Sequence, residues 1–119
     1  MPQDTLMIRR ATLNDLHKIC ELGQVVNQLH HQAYPGIFLP QNEPLRDMAH
    51  WQRAVQGDDS VCFVALGETQ GPALGFVTAY QVDESHSMLH PMRYLRIGTV
   101  CVDVAVRGQG IACRLMAEV

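Results

Sequence analysis

Residues 102–119 read VDVAVRGQGIACRLMAEV, and the change of period inside them constrains the fold more than any other stretch. The run up to Val106 has the β-branched content of a strand, whereas Ile111, Leu115, Met116 and Val119 recur on one helical face. Between them Arg107, Gly108, Gln109, Gly110, Ile111 and Ala112 make a glycine-bearing corner. A strand and the helix after it must therefore pack through a tight turn. The first turn of a helix carries N–H groups without intrahelical partners and a partial positive charge, so an anion can be held there. Without β-carbons at Gly108 and Gly110, successive N–H groups can wrap a pyrophosphate. On these residues alone, a plain turn that uses glycine only for its backbone angles is the competing reading.

Two phosphate-binding motifs are excluded by what is missing. A P-loop needs Gly-Lys-Ser/Thr, and none follows the corner. A dinucleotide fingerprint needs a third glycine where Cys113 stands, and an acidic ribose partner further on than Val119.

The rest of the chain supplies the elements around the corner. Residues 6–11 have a strand pattern, and Thr12-Leu13-Asn14-Asp15 resembles a capping box. A helix follows through about Leu29, with Leu13, Leu16, Ile19, Cys20, Gly23 and Val26 as its apolar stripe. Pro35, Gly36, Pro40 and Pro44 break residues 30–44, and a second helix is expected from Leu45 through Met48, Ala49, Trp51 or Gln52, and Val55. Residues 60–66 and 73–82 read as a strand pair, 83–92 as a polar turn region, and 93–106 as a strand with an irregularity near Gly98. The order strand, helix, helix, three strands, helix predicts an α/β (α+β) domain over residues 1–119 with a mixed, mostly antiparallel sheet flanked by helices.

Arg107, Gly110 and Ala112 fit the acyl-CoA-binding pattern of the GNAT superfamily of N-acyltransferases, Arg or Gln, two residues, Gly, one residue, Gly or Ala. MIRRATLNDL resembles that family's first strand and helix start, HHQAYPGIF its first interhelical loop, and ALGFVTAY its third strand. The resemblance implies a GNAT-like fold and acetyl-CoA as co-substrate. Its diphosphate would lie on Arg107, Gly108, Gln109, Gly110, Ile111 and Ala112, with Arg107 adding a contact or fixing the turn. The pantetheine arm would run along the fourth strand as an added strand does, past Val100, Cys101 and Val102, with an N–H near Val100 polarising the thioester. The expected reaction is acetyl transfer to a primary amine of a small molecule or peptide by direct attack in a ternary complex, with no acyl-enzyme and no metal. Tyr34 and Phe38, beside His30, His31 and Glu43, either line the acceptor pocket or pack over the core.

The resemblance also marks departures. The positions where the family often carries a carboxylate read Gly98 and Thr99, so no catalytic residue is assigned. Family members continue into a fifth strand and a tyrosine-bearing helix, whereas this sequence closes at Val119, after the start of the third helix. The expectation is therefore a homo-oligomer through the open edge of the fourth strand, or a fragment of something longer. A catalytically silent binding or assembly module is the alternative function.

Charge and cysteines narrow the rest. A net charge of -3 leaves no basic stripe for nucleic acid, and no stretch reaches the roughly 18 apolar residues of a membrane span. Cys20, Cys62, Cys101 and Cys113 show no metal or redox spacing, which points to reduced thiols and a cytoplasmic protein. His86 and His90 have the spacing of a helical zinc pair but stand beside Pro91 in a loop pattern, and solvated histidines are the better reading. Cys20 with His17 lacks an oxyanion hole, and Asp103 reads as a capping or exposed residue. Met48, Trp51 and Met116 fit helix faces.

Overall fold

A computed structural model describes residues 6–40, 46–68 and 71–119. Strand β1 (Met7–Arg10) leads through a 3-10 turn, Leu13–Asp15, into helix α1 (Leu16–Ala33). Helix α2 (Met48–Gln56) precedes strands β2 (Ser60–Leu66), β3 (Ala73–His86) and β4 (Leu89–Val102). A second 3-10 turn, Val104–Val106, leads to helix α3 (Ile111–Glu118). The strands form one sheet in the order β1-β2-β3-β4, every pair antiparallel. Leu45, the expected start of the second helix, and Glu43, a candidate for the acceptor pocket, lie outside the described residues.

Side-chain alternation sorts the sheet into two apolar faces. Val64, Leu66 and Phe76 join Ile19, Cys20 and Leu22 of α1 and Trp51 of α2. Their chain neighbours Ala65 and Val77 point the other way and meet Ile111 and Leu115 of α3. Phe76 is fully buried at the centre of the first cluster, with the Trp51 ring edge-on at 5.1 Å. Burying such a side chain contributes roughly 1.5–3 kcal/mol.

The start of α1 is fixed by polar contacts. Thr12 N–H donates to Asp15 Oδ2 at 2.8 Å, the carboxylate half of a capping box. The same carboxylate accepts from both terminal nitrogens of Arg9, at 2.7 and 3.0 Å, tying β1 to the helix. Burial acts to raise the Asp15 pKa, but the Arg9 guanidinium and the Thr12 N–H more than offset it and hold the carboxyl below its ordinary range.

Four sequence expectations are corrected. The polar segment 83–92 continues the ladder, because β3 runs to His86 and β4 starts at Leu89. This ribbon is held by cross-strand pairs, Arg93 Nε to Asp83 Oδ1 and Tyr94 hydroxyl to Glu84 Oε1, both at 2.7 Å. Val104–Val106 leaves the strand for a 3-10 turn, because the Asp103 carboxylate caps it by accepting from Ala105 N–H at 3.0 Å. The first helix runs past the expected end near Leu29 to Ala33, and its buried face includes Leu22 and excludes Leu13, which is exposed. Met116, placed on the apolar face of α3, is 49% exposed. The irregularity at Gly98 is present: Thr78 faces Thr99 and Ala79 faces Ile97, so Gly98 is the extra residue of a bulge. Any side chain there would collide with the Tyr80 ring.

Candidate coenzyme A and acceptor site

The α3 corner has the backbone the two glycines allow. Gly108 and Gly110 lie at φ 83° and 78°, the left-handed region, with Gly110 as the N-cap of α3. The helical ladder begins with Arg114 N–H to Gly110 O at 3.2 Å. Among the described residues, the N–H groups of Gly108, Gly110, Ile111, Ala112 and Cys113 have no main-chain acceptor. Arg107 fixes the turn, its Nε donating to Val102 O at 3.2 Å.

The outer edge of β4 presents main-chain groups next to that corner. A β-carbon on Gly75 would sit 2.7 Å from Cys101 O, and Asp103 N–H donates to Leu74 O at 2.8 Å. The main-chain polar groups of Cys101 and Asp103 therefore point into the sheet. By alternation those of Val100 and Val102 point outward, as the Arg107 contact to Val102 O requires. The sheet ends at β4, and no strand among the described residues pairs with this edge.

Edge and corner border one cleft of about 320 Å³, walled by Val26 of α1, Val100, Cys101, Val102, Val106, and the corner. Of the nine residues expected to touch the cofactor, Val100, Cys101, Val102, Arg107, Gly108, Gly110, Ile111 and Ala112 line it, and Gln109 does not. The Cys101 side chain turns into the core, where Sγ donates to Leu22 O at 3.2 Å and burial pushes the thiol pKa up. Cys101 can thus offer a wall of the cleft but neither an outward main-chain group nor a ready thiolate, so the arm's main-chain contacts fall to Val100 and Val102.

A second hollow, of about 260 Å³, continues the first along β4 and shares Val26 and Val100 with it. Gly23, Asn27 and His30 of α1, Trp51 of α2, and Gly98 and Thr99 of the bulge complete its wall. Sequence reasoning left Asn27, Gly98 and Thr99 without a role here; the signal was the bulge glycine itself, which marks where β4 departs from regular pairing. Phe38 does not line this hollow but stacks on His30, ring centroids 4.8 Å apart and planes 21° apart. His31 Nδ1–H donates to Phe38 O at 2.8 Å and pins that loop. Tyr34 closes α1, its N–H donating to His30 O at 2.9 Å, and its side chain is exposed.

The remaining candidates are structural. His17 Nδ1 lies 3.2 Å from Glu21 Oε1 on the solvent side, while Cys20 is in the core. Burial pushes the Cys62 thiol up to about 12. Among the described residues no group of three or more His, Cys, Asp or Glu is placed to hold a metal ion, and no helix is long and apolar enough to cross a membrane.

The profile of the acetyltransferase (GNAT) family matches residues 24–119. No curated protein sequence matches the chain. Among solved structures, a mutant of the BH1408 protein from Bacillus halodurans is 28% identical with a TM-score of 0.82, covering 94% of this chain and 70% of its own. An aminoglycoside acetyltransferase from an uncultured soil metagenomic sample, solved with sisomicin, is 27% identical with a TM-score of 0.58, covering 97% and 67%. An acetyltransferase from Vibrio fischeri, 21% identical with a TM-score of 0.71 over 94% and 81%, shares the fold.

Proposed function

Because the chain belongs to the GNAT acetyltransferase family, we propose that it transfers an acetyl group from acetyl-CoA to a primary amine by direct attack in a ternary complex. The observation that carries this reading is the meeting of two sets of main-chain groups along one cleft. The partnerless N–H groups at the start of α3 would take the diphosphate, while the outward groups of Val100 and Val102 would take the pantetheine arm. Gly108, Gly110, Ile111 and Ala112 would form the diphosphate cradle, and Gln109, which the resemblance includes but which does not line the cleft, would shape the turn between the two glycines. Arg107 holds the turn rather than the ligand, since its Nε is engaged with Val102 O. An outward N–H near Val100 is in position to polarise the thioester carbonyl, where negative charge develops on attack.

An acyl-enzyme on the cysteine of β4 is disfavoured because Cys101 is a buried, hydrogen-bonded thiol. The hollow beside the Gly98 bulge receives the amine, a small molecule or an amino group on a peptide. Four free cysteines suit the reducing cytoplasm. Beyond the cleft, the outer part of the β4 edge, where Leu89, Met92 and Leu95 are exposed, favours a homo-oligomer.

Calorimetric titration with CoA tests the site, and acetyl transfer to a set of primary amines tests the reaction. Saturable binding and turnover, both lost in Gly110→Trp with the fold retained by circular dichroism, are expected. Silence at millimolar CoA overturns the proposal. Binding without turnover on any amine assigns the chain to the silent binding-module alternative.

A further inference from the structure

Resting on the acetyl-transfer reading, we infer that His30 is the base that takes the proton from the acceptor amine. An amine reaches the site as an ammonium ion and must lose a proton before its lone pair can attack. The strand positions nearest the outward Val100 N–H, Gly98 and Thr99, bring no carboxylate to do this. The hollow they open onto is walled by Gly23, Val26, Asn27, His30, Trp51 and Val100, and His30 brings the one basic side chain of that lining. Helix α1 thus supplies across the cavity what the strand lacks.

The imidazole is also held in place. Phe38 stacks on it at 4.8 Å, and the Phe38 main chain is itself fixed by His31 Nδ1–H at 2.8 Å and by Phe38 N–H to Tyr34 O at 3.1 Å. Asn27, which lines the same hollow, is oriented by its Nδ2 donating to Asp47 Oδ2 at 2.9 Å. Phe38, which the sequence offers as an acceptor-contacting residue, acts in this arrangement as a positioning residue for His30.

The step balances without a further reactant. His30 accepts one proton from the ammonium, and the freed amine forms the C–N bond at the thioester carbon. The C–S bond then breaks, CoA departs as the thiolate, and the second nitrogen-bound proton passes to that sulfur. The imidazolium returns its proton to water. Among the described residues, the titratable or charged groups on the elements around His30 are His31 on α1, Tyr34 at its end, and Arg46, Asp47 and His50 at the head of α2; Asp47 is engaged with Asn27 and 3.9 Å from Arg46, and His50 sits edge-on to Trp51.

The test uses the whole chain with acetyl-CoA and three amine probes: sisomicin, spermidine and a short peptide with a free N-terminus. His30→Gln is expected to lower kcat by about 10²–10⁴-fold while CoA affinity stays within twofold. The acidic limb of the kcat/KM profile should disappear with it, and added imidazole should restore part of the rate in His30→Ala. His31→Gln and His50→Gln should each keep that limb, and Phe38→Leu should lower kcat less than His30→Gln does. Wild-type turnover with an unchanged rate and acidic limb in His30→Gln overturns the assignment and leaves acetyl transfer standing. Loss of the limb in His31→Gln or His50→Gln instead moves the base to that residue. Absence of wild-type turnover on all three probes removes both readings together.

Discussion

Replacing Asp15 by Asn tests the joint between β1 and α1, on which the placement of the α1 wall depends. The carboxylate is 8% exposed and accepts two bonds from Arg9 and one from Thr12 N–H. Asn keeps the shape and can still accept from Thr12, so the loss is the charge-assisted pair with Arg9. Stranding a fully buried ion costs about 3–5 kcal/mol, and an exposed pair contributes about 0–1. The Arg9 side chain is 41% exposed and can turn to water, so about 2 kcal/mol is expected at pH 7. An unfolding entropy of about 2.1 cal/mol/K per residue over 119 residues gives about 0.25 kcal/mol/K, so the expected fall in Tm is about 8 °C. The pH dependence has a definite sign. The folded-state pKa of Asp15 is lowered, so its stabilisation is full above the unfolded value near ~4 and fades as pH falls through the folded value. Urea unfolding of both proteins from pH 7 to pH 2 should show the gap closing at the acid end. A gap below about 0.5 kcal/mol at pH 7, or one that stays constant to pH 2, would falsify this account of the joint.

Leu115→Ala removes a fully buried side chain of α3 and should cost about 2–5 kcal/mol in urea unfolding; a loss under 1 kcal/mol would mean that α3 is not docked on the sheet. Gly75→Val would drive its β-carbon against Cys101 O and Val102 Cα, force β3 and β4 apart, and destabilise by about 3 kcal/mol, with CoA binding weakened as the edge moves; wild-type melting would refute the close strand approach. Arg107→Ala removes the Nε contact to Val102 O and should weaken CoA by roughly 2–12-fold, the equivalent of one hydrogen bond of about 0.5–1.5 kcal/mol. A calorimetric affinity reduced a hundredfold would instead place the guanidinium on the ligand.

How much was legible in the sequence differs between elements for physical reasons. The bounds of β2 and the start of β3 follow from runs of Val, Phe and Ala that are buried in the core, and the α3 corner follows from two glycines that take positive φ. Gly98 signalled a bulge because a glycine inside an apolar run has few other uses. The outer half of the β3-β4 ribbon was invisible to hydrophobic periodicity because its apolar residues, among them Leu89, Met92 and Leu95, are exposed and buried on no core; Asp83 with Arg93 and Glu84 with Tyr94, each pair ten residues apart, join its strands. The second hollow was illegible for a related reason. It is made by α1, α2 and a bulge of β4, and only the antiparallel register brings Gly98 opposite His30 and Trp51.

The outer edge of β4 offers peptide groups rather than side chains, and a surface of that kind is indifferent to most point changes. Val100 could become Ile or Thr and still present the same N–H at the same spacing. Lineages built on such an edge can drift until little but the trace of the chain is shared, which fits a neighbour with a TM-score of 0.82 at 28% identity. Selection would then bear on Gly98, where a side chain would collide with the Tyr80 ring, and on Gly108 and Gly110, where it would strain a left-handed backbone.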